Sequence, residues 1–405
     1  MNEKLLSVTE AESIIASRLL HFPPHGVPLD QALGSVLAEQ VLAERDQPPF
    51  ARVTMDGIAI AHSAFAAGKR RFPIQGTQAA GATPSSLGAT DGCIEVMTGA
   101  VLPAGCDTVI AVERIRVEDG AAILEEGYRP DPGQFIHRQG SDYHQGSALL
   151  EPGTRIGVPE IAILAANGKA RVQVACSPHI TVISTGDEVV GIDQPVLPHQ
   201  IRQSNSHAIL AALAAAGHHH NNSLHLMDAP DALRKHLSAA LEQSQVLILS
   251  GGVSKGKFDF VPGILEELGV EKHVHRVAQR PGKPMWFGTR GTDQMVFALP
   301  GNPVSTLICL HRFVLPALAA SLGSTAHTPR KVQLTESASC PGTLAVFLPV
   351  TLASGPSGQL LGKPRQTNTS GDFCSLAGTH GFVELPAEQA VFPAGYTASF
   401  YPWAG

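Results

Sequence analysis

The run Ile180-Thr181-Val182-Ile183-Ser184-Thr185-Gly186-Asp187-Glu188 is a short apolar strand pattern that stops in a polar turn built on a glycine. The same grammar returns twice. Val246 to Leu249 leads into Ser250-Gly251-Gly252-Val253-Ser254-Lys255-Gly256-Lys257-Phe258-Asp259, and Met295 to Leu299 leads into Pro300-Gly301-Asn302-Pro303-Val304-Ser305. Between these runs the apolar period lengthens, which predicts helices over Ser204–Ala216 and Asp231–Gln243 and near Ile264–Leu268, strands over Ser223–Met227 and Val274–Ala278, and a long helix from Pro303. Strands alternating with helices at that spacing argue for a doubly wound parallel α/β sheet with helices on both faces. Parallel strands put the three polar turns on one edge, where glycine backbone and helix N-termini can meet an anion.

Outside that segment the rhythm changes. Ser7-Val8-Thr9-Glu10 reads as a capping box ahead of Ile14, Ile15, Leu19 and Leu20 on one helical face, and a second helix is expected after Pro28. From Gln47 to Tyr143, β-like runs such as Cys93–Met97 and Thr108–Val112 are separated by Gly, Pro and Asp turns, which marks a separate β-rich unit. Pro159 suits the first turn of a helix running to Asn167, and Gly168 can supply its left-handed cap before a strand over Ala170–Ala175. After Gly323 the helical period disappears, and Val332–Phe400 reads as a small β-barrel or sandwich.

At 405 residues the chain exceeds one ordinary core, and roughly 150 residues per domain gives several. A net charge of -6 offers no long-range attraction to nucleic acid or anionic membrane, so neither is an expected partner, and any anion site must be built locally. The six cysteines show no metal or disulfide spacing and read as free thiols in a reducing compartment. No signal-peptide core follows Met1, and the apolar tract Leu307–Leu322 is interrupted by His311, Arg312 and Pro316, so the expected location is cytoplasmic.

The chemistry concentrates in the turns. Arg280-Pro281-Gly282-Lys283-Pro284 brings two cations on a stiff loop beside the carboxylates of the strand edge. Gly251 to Phe258 comes within one residue of a phosphate-binding P-loop, but Phe258 lacks the hydroxyl that magnesium needs there. His218-His219-His220 with His225 has a metal-site look, yet it falls where a helix hands over to a strand and reads better as an exposed loop. Met55-Asp56-Gly57, taken alone, reads as a turn in which Asp caps backbone.

Taken in order along nearly the whole chain, Met55-Asp56-Gly57, Met97-Thr98-Gly99-Ala100, Arg138-Gln139-Gly140-Ser141-Asp142, Ser184 to Glu188, Ser204-Asn205, Ser250 to Ser254 with Gly256 and Asp259, Pro281 to Pro284 and Leu299 to Ser305 resemble the molybdopterin molybdotransferase family, which includes the C-terminal region of gephyrin. The resemblance implies a homodimer of four-domain subunits: an elongated linker domain (1–46 with 144–176), a β-rich domain (47–143), a molybdopterin-binding α/β domain (177–325) and a C-terminal β-barrel (326–405). It implies that molybdopterin-AMP and molybdate give molybdenum cofactor and AMP with Mg2+ assisting. Glu188 and Asp259 are then the acidic, metal-binding pair, and Asp56, Thr98 and Asp142 are further catalytic residues lining the facing domain of the partner subunit. Ser184, Thr185, Gly186, Asp187, Ser250, Gly251, Gly252, Ser254, Arg280, Lys283, Pro300, Asn302, Pro303 and Ser305 are the expected substrate and anion contacts. Molybdopterin adenylyltransferase and molybdenum-enzyme chaperones are candidate further partners.

The chain departs from that pattern at Ile58, where Tyr is frequent, at Arg280, where Lys is frequent, and at Lys257, where an acidic residue is frequent. The stretch Gly342 to Pro349 lacks both arginines of a motif common in the C-terminal domain, and Arg365 is the candidate substitute for one of them. A stand-alone adenylyltransferase would carry Gly-Gly-Thr-Gly where this chain has Gly251-Gly252-Val253-Ser254, and a non-catalytic scaffold would not need Glu188, Asp259 and Lys283.

Overall fold

Val246–Ser250 is buried at every position, as a central parallel strand covered on both faces must be. It lies inside a six-stranded sheet of order Asn221–Leu226, Ile180–Thr185, Val246–Ser250, Gln294–Leu299, Trp286–Arg290, Glu271–His275. Alternate residues of these strands divide between two cores. Ile180, Val182, Val246, Ile248 and Phe297 pack with Ile209, Leu213 and Ile308, under the Asn205–Ala215 helix and the helix from Pro303. Ile183, Leu247, Leu249 and Val296 pack with Leu233, Leu237, Ile264 and Leu265, under Pro230–Gln243 and Val261–Glu267. The computed structural model describes residues 5–253, 260–324, 328–340 and 342–403.

The first four strands of that order are parallel, as expected, but the last two pairings are antiparallel, so Trp286–Arg290 alone runs against the others. The strand over Trp286–Arg290 escapes a reading by period, and its partner spans Glu271–His275, earlier than the expected Val274–Ala278. The reason is the reversal at Gly291-Thr292-Asp293. A connection of three residues can join only antiparallel neighbours.

The helix that starts at Pro303 reaches Ser321 and is long and apolar enough to cross a membrane, yet most of it is buried as a core helix. It widens into a π-turn over Leu310–Val314, immediately before Pro316. Proline has no N–H, and its ring displaces the carbonyl one turn back, which the wider turn accommodates. The buried Arg312 of that turn donates to Glu384 and to Glu12, each at 2.9 Å, so the long helix is tied to Gly381–Leu385 and to the N-terminal helix Val8–Ala16.

The capping box forms as expected: Ser7 Oγ accepts from the Glu10 N–H at 3.1 Å and the Glu10 carboxylate accepts from the Ser7 N–H at 2.7 Å. After Pro28, however, there is only a 3-10 turn, Leu29–Gln31, because Gly34 in the left-handed region (φ 80) ends the segment before a helix can nucleate. Pro24–Pro28 pairs with Arg171–Ala175 across 140 residues of intervening chain or more. The C-terminal strands close on themselves: Ala345–Ser354 pairs with Leu360–Pro364, which pairs with Arg330–Leu334, then Thr397–Pro402, then Gly381–Leu385, which returns to Ala345–Ser354. This is a closed five-stranded barrel.

These elements belong to one compact unit of the chain, residues 1–39, 152–158 and 171–405. Residues 40–151 and 159–170 form a second. The second unit carries a six-stranded sheet of order Thr108–Ala111, Gly57–Ile60, Cys93–Val96, Arg71–Gln78, Ala121–Leu124, Ile115–Glu118. Its period of two is visible at Gly57–Ile60, where Ile58 and Ile60 enter one core with Phe72 and Ile110, and Ala59 enters the other with Val53 and Ile94. Helix Val158–Ala166 follows the expected course, and Gly168 is left-handed (φ 69).

Candidate functional site

Ser184 pairs in register with Ser250 and with His225, and Ser250 pairs with Leu299, so four parallel strands end in one row. The turns that follow crowd together above it. Gly251 is left-handed (φ 103), and a Cβ there would stand 2.8 Å from Thr185 Oγ1 and 2.9 Å from the Thr185 carbonyl oxygen, so only glycine fits. The Gly251 N–H donates to the Leu299 carbonyl at 3.1 Å, which joins the second turn to the third. The Thr185 hydroxyl is buried beneath Gly251 and Gly252 and has no hydrogen-bond partner among the described residues.

The Ser184 hydroxyl accepts from Gln203 Nε2 and lies against His225 Nδ1, both at 2.8 Å. Asp187 Oδ1 accepts from the Asp228 N–H at 2.9 Å. Glu188 is exposed, and among the described residues its carboxylate has no hydrogen bond or ion pair. Its backbone carbonyl accepts from the Ile201 N–H at 2.8 Å, where Val189–Val190 pairs with Ile201–Arg202. Arg202 closes the intervening loop by donating to the carbonyls of Gly191, Ile192 and Gln194.

The loop carrying Arg280 and Lys283 leaves the C-terminal end of Glu271–His275, which runs in the same direction as the parallel strands, and so lies on the same edge. Arg280 is exposed and Lys283 half-buried, and neither side chain has a polar partner among the described residues. Beneath them Gln279 is fully buried and donates to the Pro281 carbonyl and to Cys309 Sγ. Gln279–Arg280 also pairs with Ala345–Val346, which attaches the cation loop to the barrel.

The barrel contributes again at the third turn. Ser370 accepts from Asn302 Nδ2 through its hydroxyl at 2.7 Å and from the Val304 N–H through its carbonyl at 3.1 Å. One N–H expected to be free for an anion at the helix start is therefore already taken, although Ser305 remains at the same end and is buried. Arg365 is exposed after the strand Leu360–Pro364, and its side chain has no polar partner among the described residues. Ser254 and Asp259, with Lys257, lie outside the described residues.

Asp56, Thr98 and Asp142 lie in the second unit. The Thr98 hydroxyl and N–H converge on Asp56 Oδ1 at 2.7 and 2.6 Å, and these two donors, the hydroxyl first, hold the carboxyl below the usual carboxylate range. At Gly57 a Cβ would collide with the Ile110 carbonyl oxygen, which explains the glycine after Asp56. Asp142 Oδ1 meets His137 Nε2 at 2.9 Å, and Arg52 reaches His137 Nδ1 at 3.3 Å.

The histidine run lies in a loop, with His219 and His220 exposed as expected, but His218 is buried, and burial pushes its imidazole down to about 4. The thiols of Cys93, Cys106 and Cys309 are pushed up to about 12, chiefly by burial, and are inert. Gln203 and Gln279 are polar participants that pattern reading did not single out. Their side-chain partners Ser184 and Cys309 are 19 and 30 residues away in the chain.

The α/β sheet with its glycine turns defines a class of protein. Residues 181–320 match a probable molybdopterin binding domain, and residues 6–168 match the MoeA N-terminal region, domains I and II. Over 400 residues the chain is 40% identical to a molybdopterin molybdenumtransferase of Synechocystis sp., covering 98% of this chain and all of the relative. It is 31% identical to one of Bacillus subtilis, covering 100% and 98%. A crystal structure of a molybdopterin biosynthesis MoeA protein from Pyrococcus horikosii superposes with a TM-score of 0.83 at 29% identity, over 99% of this chain and all of that one. The chain belongs to the molybdopterin molybdenumtransferase family.

Proposed function

We propose that the chain inserts molybdate into adenylylated molybdopterin, forming molybdenum cofactor and releasing AMP. The observation that carries this reading is the strand edge, where glycine turns and two cations, Arg280 and Lys283, share one end of the sheet with the carboxylate of Glu188, all three without a polar partner among the described residues. An acidic protein attracts an oxyanion only through such local groups and backbone dipoles. Lys283 and Arg280 bind the oxyanion, and the close-packed Gly251 and Gly301 turns let backbone approach the nucleotide and pterin.

Glu188 is a hard oxygen donor whose carboxylate has no partner among the described residues, which fits Mg2+, an ion ordinarily held by one or two carboxylates together with substrate phosphates. Glu188 and Asp259 are the residues that would hold it. When bound, the ion supplies charge neutralisation at the phosphoanhydride. We further propose a homodimer in which Asp56, Thr98 and Asp142 serve the partner's reaction. The sheets and barrel described above support the four-domain division as working boundaries.

The test is AMP release from molybdopterin-AMP by four variants. Glu188→Gln and Asp259→Asn abolish release while circular dichroism stays native. Lys283→Ala and Arg365→Ala each require markedly more molybdate for half-maximal release. Near-normal turnover in both carboxylate variants removes them from the mechanism, and an unchanged molybdate requirement in Arg365→Ala leaves Arg365 without a role.

A further inference from the structure

We infer that Gln203 and Asn205 are positioning residues that hold the three polar turns and the Glu188 loop in one working arrangement. The inference rests on the function proposed above and adds residues that have no assigned part in it. Asn205 Nδ2 spends both hydrogens on two different turns: one goes to Ser250 Oγ at 2.8 Å and the other to the Gly301 carbonyl at 2.7 Å. A planar amide fixes the angle between its two hydrogens, so these bonds set the spacing of the second turn against the third. Gln203, two residues earlier, donates to Ser184 Oγ at 2.8 Å, at the foot of the first turn. Ser184 and Ser250 are register partners on adjacent strands, so Gln203 and Asn205 lie across neighbouring strand ends like a staple.

The staple also sets the loop that bears Glu188. That loop leaves the sheet at Thr185 and returns through Ile201–Arg202, and its return is bonded to its departure by Ile201 N–H to the Glu188 carbonyl and Gln203 N–H to the Val190 carbonyl, both at 2.8 Å. Gln203 therefore fixes this closed loop through its backbone and the strand row through its side chain. Asn205 begins the Asn205–Ala215 helix, whose Ile209 and Leu213 are fully buried, so the staple is mounted on an element that cannot drift. Glu188 acquires a defined place through its backbone, its carboxylate having no partner among the described residues.

The separate tasks predict separate kinetic signatures. Asn205 governs the turns that bind substrate, so its loss raises the KM for molybdopterin-AMP, by roughly tenfold for two hydrogen bonds. Gln203 governs the Glu188 loop, so Gln203→Leu lowers kcat with KM little changed. Polarity rather than volume matters at Asn205. The carboxylate of Asn205→Asp can still accept from the Ser250 hydroxyl but repels the Gly301 carbonyl.

Hydrogen-exchange mass spectrometry on the full-length chain reads this without catalysis, alongside steady-state AMP release. Asn205→Ala speeds exchange at both residues 251–253 and 300–304, whereas Asn205→Asp speeds it at 300–304 alone, and the strands 180–185 and 246–250 stay protected in each. Wild-type exchange at both turns in both Asn205 variants overturns the inference, as does an unchanged KM in an Asn205→Ala protein that releases AMP. Should the wild-type chain release no AMP, the proposed function fails, and the exchange pattern still decides the staple.

Discussion

His218 shows how one residue's burial becomes a property of the whole chain. Its imidazole is 3% exposed, and burial first, then the Arg155 and His219 charges, lowers its pKa from 6.5 to about 4. The unfolded chain takes up this proton below about pH 6.5 while the folded one refuses it until about pH 4, so the contribution is intact above pH 6.5 and is lost as pH falls across that interval. The total is on the order of 3 kcal/mol. Urea unfolding at pH 7 and pH 5 measures it: His218→Leu loses less stability between the two values than the wild type, and equal losses refute the assignment. In the same way Thr98 and Asp56 were legible as separate motifs 42 residues apart, but not as one hydrogen-bonded pair, because period and turn chemistry carry no information about which distant donor meets which acceptor.

At the scale of elements, the sequence reading succeeds where one face of a strand or helix decides its pattern. The apolar runs Ile180–Ile183 and Val246–Leu249 announced buried parallel strands, which extend to Thr185 and Ser250, and the glycines that follow announced the turns. It misses Trp286–Arg290, whose Gly288 and short length give no period, and it misses the π-turn, whose cause at Pro316 acts one turn earlier. The π-turn leads to a prediction about Arg312. Burial opposes its charge, but Glu12 and Glu384 outweigh burial and raise its pKa, and Tyr401 also donates to Glu384. Glu12 is 52% exposed and contributes little, whereas Glu384 is 19% exposed and depends on its partner. Arg312→Met therefore costs about 3 kcal/mol by urea unfolding, and Arg312→Met with Glu384→Leu recovers most of it. A single variant as stable as the wild type contradicts this account of the junction.

For the whole molecule, the order of motifs along the chain was the readable signal, and membership of the family bears out the resemblance to which that order pointed. The attachment of the barrel to the strand edge through Ala345–Val346 and Ser370 was not readable, since nothing local marks a barrel loop as part of another element's turn. The proposed dimer makes a quantitative prediction. Glu188→Gln and Asp142→Asn are each inactive alone, but in a random dimer of the two one of the two sites is intact, so an equal mixture regains about a quarter of wild-type activity. No recovery after verified subunit exchange argues that each chain works unaided.

The central claim is that this strand edge couples an incoming oxyanion to cleavage of an adenylylated pterin. The most direct measurement is AMP release from molybdopterin-AMP by the purified chain with molybdate present and omitted. The account predicts release that rises and saturates with molybdate and falls to background without it. Release at the same rate without molybdate, or none at any molybdate concentration, contradicts the account.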